Sequence, residues 1–220
     1  IECLKMSTPL VFKFGGASVK DAESVRNVAK IIRLFPHRPM VVIVSAMGKM
    51  TNAFEEVVGH WSTNDLTLAR EKIDVIRQFH FAIIEELFDD PKELLSEIQE
   101  LIDQVQYGLE QTFLSYSEGY DYIVHHGELI ATKIIAAYIG KETPTVWQDT
   151  RLLVHTDDQF RRATVRWEET ARAIKSRINQ SKVNVVQGFI GASTSGKPTT
   201  LGREGSDYTG AVFCLLPKCR

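Results

Sequence analysis

The run Met40-Val-Val-Ile-Val44 constrains this chain more than any other stretch. It follows Pro39, is too short for a helix, and is apolar at every position. A strand with one wet face alternates; a strand apolar throughout reads as buried on both faces. Such a strand needs helices on both sides of its sheet, and the flanking sequence supplies the parts. Leu10–Phe14 is a second short apolar run, ending at Gly15-Gly16. Asp21 is then placed to cap a helix to about Phe35, with Ala22, Val25, Val28, Ala29 and Ile32 on one face. Strand, glycine turn, helix and strand make a βαβ unit, so a mainly parallel sheet covered by helices is expected.

The rest of the chain extends this pattern. Residues 65–88 carry Ala69, Ile73, Ile76, Ile83 and Leu87 at helical spacing. Lys92–Phe113 repeats it with Leu95, Ile98, Ile102, Val105, Leu109 and Phe113, and Pro91 marks the turn between. Two long helices with no strand between them predict an αα-hairpin beside the sheet. A helix over Gly127–Ile139, a strand over Thr145–Gln148, a helix over Trp167–Asn179 and a strand over Val183–Ile190 follow. Gly191–Thr199, rich in Gly, Ser, Thr and Pro, predicts a hairpin or flexible loop. Ser206–Leu216 predicts a last helix. No repeat, low-complexity tract or flexible linker interrupts the 220 residues, which suit one large α/β domain or two small ones.

Composition excludes some partners. A formal net charge of −2 gives no reason to expect nucleic acid or an anionic membrane surface. No apolar run reaches the roughly 18–20 residues of a membrane span. Cys3, Cys214 and Cys219 form neither CxxC nor a metal-type cluster and read as free thiols in a reducing cytosol, although Cys214 and Cys219 are close enough in sequence to touch. No signal peptide is legible, and Ile1–Lys5 read as a remnant preceding a candidate start at Met6.

Chemistry-bearing residues fall into segments at strand ends and helix starts. Lys13-Phe-Gly-Gly-Ala-Ser18 combines bare backbone amides, a helix start and a mobile cation. It is either a phosphate cradle or an ordinary glycine turn with a surface lysine. Val44-Ser-Ala-Met-Gly-Lys-Met-Thr-Asn52 sits where open α/β sheets bind ligands. Its hydroxyls fit a carboxylate or phosphate, or Thr51 simply caps a helix. Adjacent His125 and His126 cannot share a site on one helix face, so they read as polar turn residues rather than metal ligands. Glu128 suits the dipole of a helix start, or a substrate ammonium group in a cleft. In Thr199-Thr-Leu-Gly-Arg-Glu-Gly-Ser-Asp-Tyr208, an arginine between glycines offers a fork for a carboxylate; the plainer reading is a capped helix start with Asp207 in its first turn.

Two features are discounted. Gly191–Lys197 fits phosphate-loop spacing until Pro198, which stands where Ser or Thr should bind Mg²⁺ and bars a helix from starting at the lysine. His80, on the apolar stripe of a long helix, reads as a satisfied core histidine. Phe79, Phe81 and Phe88 are likewise core candidates.

Taken in order, Lys13–Ser18, Val44–Asn52, His126-Gly-Glu128, Gln187-Gly-Phe-Ile-Gly191 and Thr199–Thr209 resemble aspartokinases of the amino acid kinase family, from about Leu10 onward. The resemblance implies a three-layer α/β/α sandwich around a mainly parallel sheet. It implies phosphoryl transfer from ATP to the side-chain carboxylate of L-aspartate, the first step towards lysine, threonine and methionine, in a cytoplasmic enzyme that is a homodimer at full length. By resemblance Lys13 touches the transferring phosphoryl group, with Gly15, Gly16 and Ser18 in the same loop. Substrate contacts fall on Ser45, Thr51, Glu128, Phe189 and Arg203. Asp207, beside Ser206, organises the site by orienting Lys13. No residue is expected as a metal ligand, because Mg²⁺ would ride on the phosphates of ATP.

The sequence departs from that family in two ways. Glu204 replaces a glycine in the usual Gly-Arg-Gly-Gly-Ser-Asp. The family's nucleotide-binding part and regulatory ACT domains lie beyond Arg220, so residues 1–220 are expected to form a partial catalytic domain that by itself lacks an ATP site. The alternatives are a relative acting on glutamate, N-acetylglutamate or UMP, and a non-catalytic ligand-binding fragment. A dinucleotide oxidoreductase is weaker, since no GxGxxG follows the first strand.

Overall fold

Across residues 9–215, which the computed structural model describes, the chain runs β1 (Leu10–Phe14), a 3₁₀ turn (Gly16–Val19), α1 (Ala22–Arg33), β2 (Met40–Val44), α2 (Met50–Ser62) and α3 (Leu66–Leu87). It continues through α4 (Lys92–Gly108), α5 (Tyr116–Val124), α6 (His126–Gly140), β3 (Thr145–Gln148), a second 3₁₀ turn (Thr150–Leu152), α7 (Trp167–Arg177), β4 (Val183–Gln187), β5 (Ile190–Ala192), β6 (Pro198–Thr200) and α8 (Gly205–Leu215). Cys3, Cys219 and the Ile1–Met6 segment lie outside the described residues; Cys214 is an exposed free thiol.

The fold is the expected α/β sandwich. β1, β2, β4 and β3 form, in that order, an all-parallel sheet. Every β2 side chain is buried, and its residues alternate between two cores. Met40, Val42 and Val44 join the large cluster of α1, α2, α3, α4 and α6; Val41 and Ile43 join the smaller one of α7 and α8. Burying each such side chain contributes about 1.5–3 kcal/mol, which explains why this strand tolerates no polar residue. Asp21 caps α1 as expected, accepting a hydrogen bond from Ser24 N–H at 2.8 Å.

Several sequence expectations need correction. α4 ends at Gly108, not Phe113, because a turn there lets Tyr122 pack where a Cβ would stand only 2.3 Å from its ring. Phe113 instead packs against Trp61 and Tyr122. α5 has no counterpart among the sequence expectations. α5 carries a reciprocal cap: Ser115 Oγ accepts from Glu118 N–H, and Glu118 Oε2 accepts from Leu114 N–H. Val183–Ile190 is not one strand, because Phe189 turns to φ 72 and divides it into β4 and β5. Thr51 is not an N-cap; Lys49 holds that place and Thr51 lies inside α2.

The histidine readings also change. His125 and His126 are buried, not polar turn residues; both rings approach the Tyr122 carbonyl through Nδ1, at 2.7 and 2.9 Å. Burial holds both below the usual imidazole range, His126 at about 4. His80 is in the core, but only half satisfied: its Nδ1 meets the Ile76 carbonyl at 2.8 Å while Nε2 has no partner. Gly191–Lys197 spans the end of β5 and the turn, residues 193–197, of the antiparallel β5–β6 hairpin, with Lys197 paired to Glu118 at 2.6 Å and Pro198 opening a strand rather than a helix.

Candidate active site

Register builds the site. Phe14, Val44 and Gln187 align at the carboxyl edge of three adjacent parallel strands, where open α/β sheets place ligands. The chain leaving each strand is tied to its neighbour. Ser45 N–H donates to the Phe14 carbonyl at 3.2 Å, and Gly188 N–H to that of Val44 at 2.9 Å. Gly48 N–H reaches the Gly16 carbonyl at 2.9 Å. Gly16 is required by that packing, since a Cβ would stand 2.6–2.7 Å from the Gly48 and Ala46 carbonyl oxygens.

A cleft of about 820 Å³ opens at this edge. Of the sequence candidates, Lys13, Ser45, Thr51, Glu128, Phe189, Arg203, Ser206 and Asp207 all line it. Gly15, Gly16 and Ser18 do not; they form the adjacent turn, with Gly15 bordering the Lys13 ammonium and Ser18 exposed.

Alternation along β1 puts Lys13 on the same face as Val11, which packs with the α8 cluster. Asp207, in the first turn of α8, therefore meets it, and Nζ and Oδ1 are 2.8 Å apart. Ser45 Oγ donates to Ser206 Oγ at 2.9 Å, stapling β2's end to α8.

Glu128 enters from the opposite wall, in the first turn of α6, and is buried. Its Oε1 accepts from Ala46 N–H at 3.3 Å; Oε2 has no partner. Burial pushes its carboxyl up to about 8, against the hydrogen bond from Ala46. A buried carboxyl with an unused oxygen, on a residue that lines a cleft, is placed for a cationic ligand group. Arg203, between Gly202 and Glu204, is exposed on the rim and makes no ion pair among the described residues.

Backbone strain gathers here. Among the described residues, the non-glycine residues with left-handed φ are Asn64, Arg161, Phe189 and Glu204, and all but Asn64 line the cleft. Such conformations persist where surrounding structure enforces them, typically at functional sites. Glu204, at φ 58, occupies a geometry glycine adopts without penalty. Glu204→Gly is expected to stabilise the fold by up to about 1 kcal/mol, the local relief being partly offset by a freer unfolded chain. Thermal unfolding checks this: Tm should hold or rise by a few degrees, and a fall of several degrees would disprove the strain.

Sequence reasoning missed Glu55, Tyr120, Arg161 and Arg162 on the lining, and Asp121 behind it; Thr200, quoted there only as part of the Thr199–Tyr208 segment, lines it too. Asp121 is fully buried, and burial pushes its carboxyl up to about 6 although Arg161 and Thr200 donate to it. The only legible signal was the Arg161-Arg162 pair in a segment of no periodicity. Among the described residues no group of three or more His, Cys, Asp or Glu is placed to hold a metal ion, and no helix is long and apolar enough to cross a membrane.

The sequence model of the amino acid kinase family matches residues 8–216. Lysine-sensitive aspartokinase 3 of Escherichia coli (strain K12) is 34% identical over 214 residues, covering 94% of this chain and 46% of that protein. Aspartokinase 1, chloroplastic, of Arabidopsis thaliana is 34% identical over 215 residues, covering 92% of this chain and 37% of that one. The crystal structure of Escherichia coli aspartokinase III in complex with aspartate and ADP superposes with a TM-score of 0.84 at 30% identity, over 96% of this chain and 47% of that one. This chain thus spans less than half the length of these relatives.

Proposed function

We propose, from the premise that this chain belongs to the amino acid kinase family, that it forms the amino-acid-binding part of an aspartate kinase, moving the γ-phosphoryl group of ATP onto the side-chain carboxylate of L-aspartate. The observation that carries the reading is one cleft holding the Lys13–Asp207 pair, the buried Glu128 and the unpaired Arg203. Support also comes from the named relatives, one of them crystallised with aspartate and ADP. The rest of the nucleotide site is assigned to the portion of the relatives' length that this chain does not span. The reading extends to a cytoplasmic homodimer serving lysine, threonine and methionine synthesis.

Each group has a task. The acceptor carboxylate is ionised at neutral pH, its ordinary pKa being about 4, so no general base is needed. What remains is positioning and neutralisation of charge. Arg203 takes the α-carboxylate as a fork, and Glu128 takes the α-ammonium group. The side-chain carboxylate then faces Lys13, whose ammonium meets charge developing on the phosphoryl oxygens. Asp207 orients Lys13; Ser45 and Thr51 offer hydroxyls to the bound acid. Mg²⁺ would ride mainly on the phosphates of ATP and would neutralise part of their charge.

An ADP-release assay on the protein that carries this chain, run with aspartate, glutamate, N-acetylglutamate and UMP, tests the assignment. Aspartate should be the preferred acceptor. N-acetylglutamate should fail, because its blocked nitrogen gives Glu128 no cation to hold. Turnover with N-acetylglutamate or UMP in place of aspartate would overturn the assignment.

A further inference from the structure

Arg161 has no part in the transfer described above, yet three features fix it at the cleft. Its backbone sits at φ 67, a conformation non-glycine residues adopt only when held there. The holding group is Asp121, fully buried on α5, whose Oδ2 accepts from Arg161 N–H at 2.9 Å and from Thr200 N–H at 2.9 Å. Oδ1 accepts from the Thr200 hydroxyl at 2.7 Å. One buried carboxylate thus pins the 157–165 loop to β6. Finally, the guanidinium lies over Tyr120, 4.4 Å from its ring centre, and 5.6 Å from that of Tyr116. Tyr120 is itself fixed by donating to Glu55 at 2.6 Å.

A guanidinium stacked on an aromatic ring keeps its N–H edge free, and that edge matches a carboxylate. Among the described residues Arg161 makes no ion pair. The cleft therefore holds unpaired arginines from separate segments, Arg203 before α8 and Arg161 with Arg162 on the 157–165 loop, and of these Arg161 is the one held by stacking on an aromatic ring. A ligand with one carboxylate satisfies only one of them.

Resting on the aspartate-binding reading, we propose that Arg161 is a specificity-determining residue: it engages the side-chain carboxylate of the substrate while Arg203 holds the α-carboxylate, so that the cleft selects a dicarboxylic amino acid. Arg161 takes the oxygen that does not attack phosphorus, leaving the other a free lone pair for transfer.

The test uses Arg161→Gly and Arg161→Gln in the full protein that carries this chain, with aspartate affinity read by calorimetry and Tm by thermal unfolding. The aspartate Kd should rise roughly tenfold or more in both variants, the usual scale for losing a charge-assisted hydrogen bond. The Tm of Arg161→Gly should equal or exceed that of the unmodified protein, because glycine adopts this φ freely. Weaker binding in a more stable protein cannot come from a damaged scaffold. An unchanged Kd in both variants overturns the proposal, and so does a Kd that rises only alongside a lowered Tm in Arg161→Gly. Failure of the unmodified protein to bind aspartate overturns the aspartate reading and this inference together. Normal binding in all three proteins overturns this inference alone.

Discussion

Replacing Lys13 with alanine should lower kcat by about a hundred- to a thousandfold, the cost of removing one well-placed donor from charge developing in a transition state. The loss should lie towards the upper end of that range, because the substitution also strands Asp207. That carboxylate now lies 2.8 Å from the Lys13 ammonium and would face the phosphates uncompensated. The aspartate KM should move far less, since the ammonium acts on phosphoryl oxygens and not on the acid's recognition groups. Stability should hardly change: the pair is partly exposed, and such pairs contribute about 0–1 kcal/mol. Steady-state kinetics with thermal unfolding on the same variant separates these effects. A kcat within tenfold of the unmodified protein would remove Lys13 from the chemistry.

Arg203→Ala should act in the opposite sense, raising the aspartate KM by about a hundredfold, since two charge-assisted hydrogen bonds are lost together. kcat at saturating aspartate should be less affected. Arg203→Lys should recover little, because an ammonium cannot reproduce the planar fork between Gly202 and Glu204. Arg203 is exposed and makes no ion pair among the described residues, so alanine there should leave the fold intact. An unchanged KM would contradict the assignment of the α-carboxylate to this residue.

What the sequence made legible was whatever local rules govern. An all-apolar five-residue strand has few homes other than the middle of a covered sheet, and β2 is found there. Asp21 caps α1 because an acidic side chain before an amphipathic run satisfies orphan amides whatever the tertiary context. Lys13, Ser45, Glu128 and Arg203 were found from strand ends, helix starts and family resemblance, and parallel register then delivered them to one edge.

What was not legible depends on distant partners. Phe189 breaks a β-branched run because its N–H is claimed by Thr209 Oγ1 and its carbonyl by Leu201 N–H, twelve or more residues away. α4 stops at Gly108 because Tyr122 fills the space beside it. Arg161 and Asp121 meet across forty residues of sequence through a backbone hydrogen bond that no periodicity announces. α5 is the exception: Ser115 and Glu118 spell a capping box that could have been read beforehand.

The pairing of Glu128 with a substrate ammonium group is the claim on which the site's identity turns, and it has a proton signature. Burial pushes this carboxyl up to about 8, so at pH 7 it is mostly protonated. A bound ammonium group favours the carboxylate and draws that value down, so binding expels the proton. Aspartate affinity should therefore climb with pH up to about 8 and level off above it. The direct measurement is calorimetric titration of the protein with L-aspartate at pH 7, in buffers of different ionisation enthalpy. Binding with release of close to one proton is expected, and Glu128→Gln should abolish the release. Binding with no proton exchanged, or release that persists in Glu128→Gln, would contradict the assignment.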